Sequence, residues 1–302
     1  RLAVEELSYI PSAIARGLRN RRTLTIGLVV SDIENPYFTE VARAVERRAA
    51  DAGYTVVLAN TDEDPERERA IVQILLSQRV DGIVVTPAAG DHSVEHLRGA
   101  EERQVPVVLV NRRLDGFATT TVTADAAGGS YELTQYAIGR GHRTIAAVRG
   151  RLDTSTTQDR LRGYQRALDA AGIPFAPELI VMGGSKSEIA YAAVKQLLAR
   201  SERPTCIYAF NNLMTEGALL ALKDGNVACP EEVSLIGFDD FRSARAMTPS
   251  LTVVAQPTHE IGKVAIDLLL RRLAGEPAGD VVLPTRLIVR GSCTPPSAGG
   301  VS

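Results

Sequence analysis

Several residues whose side chains can make two polar contacts at once stand directly after apolar runs. Asp239 and Asp240 follow the run VSLIGF, and Asn211 follows CIYAF. Arg160 lies near the start of an amphipathic segment, where a guanidinium can hold a pair of hydroxyls or a carboxylate. Two carboxylates could also support acid–base chemistry, but no nucleophile or metal-ligand set accompanies them in the sequence. These residues therefore favour binding of a small polar molecule over catalysis.

A basic stretch near the amino terminus indicates a different kind of chemistry. Residues 12–18 have the spacing of a short helix, with Ser12 as a good N-cap. A helix of about two turns is not stable alone in water, so it needs a surface to pack on. An apolar wedge flanked by arginines suits the DNA minor groove, although a helix packed on its own domain fits the same pattern. The wedge and the arginines beside it are Ile14, Ala15, Arg16, Leu18 and Arg19.

From residue 24 onward, short apolar runs alternate with amphipathic segments. Continuous apolar strands between helices are typical of parallel sheets covered on both faces. Two such series, near residues 24–125 and 126–256, indicate two doubly wound lobes rather than one wide sheet. The predicted strands are residues 25–31, 55–60, 82–86, 107–111, 120–123, 144–148, 179–181, 206–210 and 233–238, and later 281–283 and 286–290. Among the predicted helices are residues 158–171, 187–199, 212–224 and 258–274.

Ligands of open α/β sheets bind outside the carboxyl ends of the strands, so the loops there form the candidate site. Tyr37 and Phe38 could offer an apolar face to a sugar or purine ring, with core packing as the alternative for both. Tyr208, on the strand before Asn211, could reach the same cleft or lie in the core. For any single polar residue in these loops, the alternative explanation is that loop residues are generally polar. The loops are residues 32–37, 86–88, 111–113, 150–159, 210–213 and 238–241.

The first 38 residues also carry a motif series. A Leu-x-Tyr-x-Pro element precedes an Ala-x-x-Leu helix, which precedes Thr-x-x-Ile-Gly-Leu. This order resembles the end of the DNA-binding headpiece, the hinge helix and the first core strand of LacI-family transcription regulators. Only the last part of the headpiece, residues 1–8, has a counterpart, so we expect poor operator binding without the missing helix-turn-helix. The matching residues are Leu7, Tyr9, Pro11, Ala15, Leu18, Thr23, Ile26, Gly27 and Leu28.

The resemblance implies roles for individual residues. Leu18 would be the minor-groove lever of the hinge helix, with Ala15 beside it. Arg160 matches an Arg-x-x-Gly-aromatic element whose arginine contacts the effector, with a surface salt bridge as the alternative. Asp239 follows a Gly-aromatic pair and matches an effector-binding aspartate, whereas Asp240 would hold the loop. The alternative is that both aspartates only cap the following turn.

Two further strand ends complete the implied site. Asn111 and Arg112 resemble the family's cleft pair of Asp or Asn with Arg. Asn211 is the expected ligand of its pair, because Asn212 can cap the helix that follows. The predicted effector-binding residues are Tyr37, Phe38, Asn111, Arg112, Arg160, Tyr208, Asn211 and Asp239. The predicted DNA-binding hinge residues are Ser12, Ala15, Arg16, Leu18 and Arg19.

The resemblance covers nearly the whole chain and implies a periplasmic-binding-protein-like core of two lobes. The strands near residues 281–283 and 286–290 would complete first the amino-terminal lobe and then the carboxy-terminal lobe. The implied division is residues 1–22 for the headpiece remnant and hinge helix, 24–125 plus 257–286 for the first lobe, 126–256 plus 287–293 for the second, and 294–302 for a disordered tail.

Charge and cysteine content narrow the class of protein. The 302-residue chain has a net charge of −2, and residues 1–22 carry five arginines against two glutamates, which leaves −5 for the rest. This asymmetry is expected of a DNA-contacting arm on an acidic core. The three cysteines are widely spaced without a CxxC pair, so neither a disulfide framework nor a structural zinc site is predicted. His92 and His96 share a helical face without a third ligand, which favours a solvated surface over a metal site.

We therefore expect a cytoplasmic, homodimeric LacI-type repressor without cofactor or membrane segment. A small polar effector, expected to be a sugar with a nucleoside as the alternative, would change the angle between the lobes and so the folding of the hinge helix on operator DNA. The rival class is an extracytoplasmic sugar-binding protein of the same fold, which the arginine-bearing stretch before the first strand disfavours. An enzyme is disfavoured because no catalytic constellation is present.

Overall fold

The computed structural model describes residues 22–90 and 93–297, which form two α/β lobes. The first lobe opens with β1 (Thr25–Val30), α1 (Pro36–Asp51), β2 (Thr55–Asn60), α2 (Pro65–Ser77), β3 (Gly82–Val85), α3 (Glu95–Glu102), β4 (Val107–Val110) and β5 (Thr120–Ala124). The second lobe contains α4 (Ala126–Gly139), β6 (Ile145–Arg149), α5 (Ser155–Ala170), a 3-10 turn (Pro177–Leu179), β7 (Ile180–Met182), α6 (Ser187–Leu198), β8 (Cys206–Ala209), α7 (Asn212–Asp224), β9 (Ser234–Phe238) and β10 (Thr252–Ala255). The last elements are α8 (Thr258–Leu273), β11 (Val281–Leu283) and β12 (Arg286–Ile288).

The two sheets have the same doubly wound pattern. The first sheet has the strand order β11–β5–β4–β3–β1–β2, and the second has the order β12–β10–β9–β8–β6–β7. β12 differs from the other strands because it runs antiparallel to its neighbour β10. β11 ends at the cleft between the lobes, and only Pro284 and Thr285 link it to β12. Because this link is short, β12 must start at the cleft side of the second sheet, and it therefore runs opposite to β10. The predicted parallel lobes are confirmed, with this antiparallel edge strand as a correction.

N-caps fix where the first two helices begin. The Asn35 side chain accepts a hydrogen bond from the Tyr37 backbone N–H at 2.9 Å, and Pro36 occupies the first turn of α1. Asp64 caps α2 in the same way, followed by Pro65. Because each cap lies in the short loop after a strand, both helices begin at the cleft end of their sheet.

Glycines allow the helices of each layer to pack closely. α4 packs on α5, α6 packs on α7, and α8 packs on α1. A Cβ atom on Gly163 of α5 would clash with the Ala127 carbonyl oxygen and lie 2.9 Å from the Tyr131 backbone nitrogen of α4. A Cβ atom on Gly217 would clash with the Ser187 carbonyl oxygen of α6. These contacts set how close α5, which carries Arg160, lies to α4, and how close α7, which Asn211 caps, lies to α6.

Three short segments join the lobes: residue 125, residues 256–257 and residues 284–285. The exact division of the chain into lobes stays a prediction. The expectation of a disordered tail from Thr294 is wrong for Thr294 itself. Its backbone N–H donates to Ser234 Oγ at 3.1 Å, and its carbonyl lies 2.9 Å from His142 Nε2. Residues 298–302 lie outside the described part of the chain.

Candidate functional site: the cavity between the lobes

A cavity of about 30 Å³ lies between the lobes, at the carboxyl ends of the strands of both sheets. Most of its lining side chains are polar or charged. This volume holds about two water molecules, so a larger ligand requires the lobes to move apart. The lining residues are Asp32, Asn35, Tyr37, Phe38, Glu63, Asn111, Arg112, Thr156, Thr157, Arg160, Ser185, Phe210, Asn211, Met214, Asp239 and Gln256.

The second lobe contributes a buried pair of opposite charges, Arg160 and Asp239. Arg160 Nη2 lies 3.7 Å from Asp239 Oδ1, and the guanidinium lies 4.0 Å from the centre of the Phe238 ring. Arg160 Nη1 donates to the Phe210 carbonyl, but its Nε has no hydrogen-bond partner within the described residues. Burial raises the pKa of Asp239, and the Arg160 guanidinium opposes that rise. The pair therefore retains hydrogen-bonding capacity for a ligand.

The two adjacent aspartates after β9 have different surroundings. Asp239 adopts a left-handed backbone conformation, with φ of 73°, and accepts a hydrogen bond from Gln256 Nε2 at 2.6 Å. Asp240 instead accepts two hydrogen bonds from Arg290, each of 2.8 Å. Asp239 thus lines the cavity, while Asp240 ties the loop to the segment after β12.

The first lobe contributes a second buried ion pair, between Arg112 and Glu63. The two guanidinium nitrogens of Arg112 each lie 2.7 Å from one Glu63 oxygen, and Nη1 also donates to the Pro87 carbonyl at 2.7 Å. Glu63 further accepts the Ala89 backbone N–H at 2.9 Å. Burial alone would raise the pKa of Glu63, but Arg112 lowers it below the ordinary value. Arg112 is thus largely occupied by protein groups, although its Nε finds no partner in the described part of the chain.

The two asparagines at the start of α7 do not divide their roles as predicted. Asn211 is the N-cap, because its side-chain oxygen accepts the Met214 backbone N–H at 2.7 Å. Asn212 instead reaches across the cleft, where its Nδ2 donates to Asn35 Oδ1 at 3.0 Å. Asn212 therefore links the lobes, and the prediction that it caps the helix is wrong. Asn211 still lines the cavity, and its Nδ2 donates to the Ser185 carbonyl at 3.3 Å.

The aromatic residues that begin α1 form one wall of the cavity. The rings of Tyr37 and Phe38 meet edge to face, with centroids 5.0 Å apart and an interplanar angle of 85°. Both residues are buried, and burial raises the pKa of Tyr37. The Tyr37 hydroxyl is buried without a hydrogen-bond partner among residues 22–90 and 93–297. Such a group favours a ligand that supplies the missing hydrogen bond.

Charged side chains close the mouth of the cleft. Lys186 Nζ of the second lobe lies 2.9 Å from Asp32 and 3.3 Å from Asp62 of the first lobe. Arg113 of the first lobe pairs with Asp159 of the second at 2.8 Å. These contacts hold the lobes in the closed arrangement described here.

Similarity to known proteins identifies the family. The model described as periplasmic binding proteins and sugar binding domain of LacI family matches residues 23–290. The HTH-type transcriptional repressor PurR of Erwinia tasmaniensis is 37% identical over 277 residues, which cover 91% of this chain and 81% of that protein. The chain belongs to the LacI family.

Solved structures of the LacI family have the same fold. The transcription regulator CcpA of Lactococcus lactis superposes with a TM-score of 0.82 at 30% identity, covering 89% of this chain and 98% of its own. A LacI-family regulator from Enterococcus faecium with bound ribose gives 0.79 at 26% identity, covering 90% and 99%. The prediction of a LacI-type transcriptional regulator is confirmed, and the solute-binding alternative finds no support among these relatives.

Most of the predicted LacI-type site residues meet at the cavity. Tyr37, Phe38, Asn111, Arg112, Arg160, Asn211 and Asp239 all line it. Tyr208 does not: it is fully buried, with its ring 4.7 Å from that of Phe210. Tyr208 is therefore corrected to a core residue, since Phe210 occupies the position facing the cleft. The hinge residues Ser12, Ala15, Arg16, Leu18 and Arg19 lie outside the described part of the chain.

Three lining residues that lie in loops were missed by the sequence argument. Glu63, Ser185 and Gln256 follow β2, β7 and β10, respectively. The same strand-end rule would have selected them if it had been applied to every strand.

Two remaining expectations concern histidines and membranes. The His96 side chain is only 6% exposed and lies 2.7 Å from Glu68, so it does not belong to a solvated helix face; His92 lies outside the described residues. In the described part of the chain, no helix has the length and hydropathy that a bilayer crossing requires.

Proposed function

We propose that this LacI-family regulator binds a small sugar between its lobes and that binding controls its affinity for operator DNA. The observation that carries the proposal is the buried Arg160–Asp239 pair in a cavity lined mostly by polar groups. A guanidinium and a carboxylate can each make two hydrogen bonds, which suits neighbouring hydroxyls. The ribose bound to the Enterococcus faecium regulator supports this ligand class.

The other ligand class consists of nucleosides and purine bases. Tyr37 and Phe38 favour it, since their rings offer an apolar wall to a planar base. The other residues that line the cavity are mostly polar, and they favour a sugar. A base would bury several of these polar side chains against the apolar surface of its ring.

Control of DNA binding would act through the attachment of the amino-terminal segment to the first lobe. Asp81 accepts the backbone N–H groups of Thr23 and Leu24 at 3.0 and 2.8 Å, and Arg22 donates to the Leu273 carbonyl at 3.0 Å. A change in lobe angle would therefore move the start of β1 and the hinge helix before it. In a cytoplasmic homodimer that carries helix-turn-helix headpieces, this motion would change the spacing of two hinge helices on operator DNA.

The test is a thermal-shift screen against pentoses, hexoses, nucleosides and purine bases, with Asp239→Ala and Arg160→Ala alongside. A bound sugar at about 100 times its Kd should stabilise the wild type by about 2.7 kcal/mol. We expect both variants to lose that shift and Asp240→Ala, a matched control outside the cavity, to keep it. A shift that Asp239→Ala and Arg160→Ala retain would place the effector elsewhere. A shift given only by bases would replace the sugar with the other class.

A further inference from the structure

A histidine and two cysteines that are far apart in the sequence meet within the second lobe. His142 precedes β6, Cys206 opens β8 and Cys293 follows β12. They lie on the side of the sheet opposite the effector cavity, near the amino ends of β6 and β8 and after the carboxyl end of the antiparallel β12. One ligand atom of each side chain lies within 4.8 Å of the others, and all three residues are at most 3% exposed. The wide spacing hid this cluster from the sequence argument, which predicted no metal site.

The hydrogen bonds of His142 prepare one ring nitrogen for a metal ion. Nε2 lies 2.9 Å from the Thr294 carbonyl, which can only accept, so Nε2 carries a proton and Nδ1 has a free electron pair. Nδ1 lies 2.9 Å from Thr205 Oγ1, whose hydroxyl can turn to the Thr144 carbonyl at 3.3 Å. Metal-bound histidines commonly donate their second N–H to a carbonyl in this manner.

We propose that His142, Cys206 and Cys293 bind a thiophilic metal ion of the Zn²⁺ type, with a water or a nearby hydroxyl as the fourth ligand. Two thiolates, a neutral imidazole and a divalent cation sum to zero charge, which suits a buried site. Both thiols would lose their protons on binding the ion, so metal binding would release protons.

A metal ion here would act on the second lobe and not on the effector cavity. The ion would connect the segment after β12 to the starts of β6 and β8. Thr294 of that segment already forms hydrogen bonds with Ser234 and His142. The site is independent of the proposed sugar effector, because the cavity lining includes none of its three residues.

The experiment is a titration of the reduced, chelator-treated chain with Co²⁺ as a spectroscopic probe, followed by displacement with Zn²⁺. We expect a thiolate-to-cobalt charge-transfer band that saturates at one equivalent and disappears when Zn²⁺ is added. Cys206→Ser and Cys293→Ser should each weaken binding by at least about 100-fold. Cys229→Ser is the matched control, because Cys229 is outside the cluster, and it should leave binding unchanged.

Three outcomes would overturn the proposal. The first is the absence of a cobalt band at micromolar metal, and the second is a loss of metal binding in Cys229→Ser equal to that in the other serine variants. The third is the loss of two titratable thiols on mild hydroperoxide treatment of a chain that binds no metal, which would make the cluster a disulfide-forming pair. If the serine variants fail to fold, X-ray absorption at the zinc edge of the wild-type protein decides. Two sulfur neighbours and a nitrogen support the site, and the absence of sulfur neighbours refutes it.

Discussion

The Glu63–Arg112 ion pair shows how one carboxylate can organise the first-lobe side of the cavity. Glu63 holds the Arg112 guanidinium with two hydrogen bonds and also binds the backbone of the loop after β3 at Ala89. Its pKa is lowered from the ordinary value of 4.5 by Arg112 in spite of burial. An acid with a lowered folded pKa stabilises the fold fully above its unfolded pKa, and this contribution is lost as the pH falls through the folded value.

The first prediction tests this linkage with Glu63→Gln. At neutral pH the variant should lose about 2–4 kcal/mol of unfolding free energy, because Arg112 stays buried without its carboxylate. Below about pH 4 the difference in unfolding free energy between the variant and the wild type should shrink, because acid protonates Glu63 in the wild type and removes the same charge. Urea unfolding at both pH values measures this. Glu66→Gln, which alters an exposed carboxylate of α2, should cost no more than about 0.5 kcal/mol. A penalty for Glu63→Gln that is independent of pH would contradict the argument.

The second prediction concerns the buried hydroxyl of Tyr37, which lacks a partner among the described residues. Tyr37→Phe removes that unsatisfied group, so the ligand-free protein should be as stable as wild type or more stable by about 1 kcal/mol. If the hydroxyl bonds the effector, the affinity of the variant should fall by about 10-fold. Thermal unfolding and calorimetric titration measure the two effects. A large loss of stability without ligand would show that the hydroxyl has a structural partner.

At the scale of helices, the close contact between α4 and α5 positions Arg160. The α5 residue Gly163 faces the α4 backbone, where a Cβ atom would lie 2.8 Å from the Ser130 Cβ atom. Ser130 Oγ also donates to the Arg160 carbonyl at 2.6 Å. The contact therefore fixes the part of α5 from which Arg160 reaches the cavity.

The third prediction is that Gly163→Ala costs about 1–3 kcal/mol and weakens effector binding, because the helices must separate. Gly139→Ala, at the end of α4, is the matched control. A Cβ atom there meets nothing within 4 Å, so the change should be neutral or gain up to about 0.5 kcal/mol. Urea unfolding of both variants gives the comparison. Equal effects of the two substitutions on the unfolding free energy would mean that helix propensity determines the effect, and that the close contact between α4 and α5 does not.

Elements could be predicted from the sequence more securely than contacts between them. The apolar runs of β1, β3, β8 and β9 gave the strands, since their length and flanking polar residues exclude helices. The sequence argument chose Asn212 over Asn211 as the N-cap, wrongly, because both side chains can cap and the choice depends on which residue has extended backbone. The position of Tyr208 could not be predicted either, since it depends on how Phe210 packs. The meeting of His142, Cys206 and Cys293 needs the whole strand order of the second sheet.

At the scale of the whole molecule, contacts across the cleft hold the lobes closed. Lys186 pairs with Asp32 and Asp62, and Arg113 pairs with Asp159. These pairs are partly exposed, so each should favour closure by about 1 kcal/mol or less. Their sum can still decide whether the ligand-free lobes open, because two conformations of a protein commonly differ by only a few kcal/mol.

The fourth prediction is that Lys186→Met combined with Arg113→Gln opens the ligand-free protein. The radius of gyration from small-angle X-ray scattering should increase, and wild type should show a smaller increase at high salt, which screens the same pairs. Lys263→Met, an exposed lysine of α8 away from the cleft, should leave the radius unchanged. An unchanged radius in the double variant would mean that hydrogen bonds such as the one between Asn212 and Asn35 suffice for closure.

The central claim is that a polar effector binds in the cavity against Asp239. The most direct test is calorimetric titration of the tightest sugar from the screen into wild type, Asp239→Asn and Asp240→Asn. We predict that Asp239→Asn raises the Kd by about 100-fold, because a buried carboxylate that accepts hydroxyl hydrogen bonds is lost. Asp240→Asn should stay within about 3-fold of wild type, since Asp240 binds Arg290 outside the cavity. Equal affinities for wild type and Asp239→Asn would contradict the account.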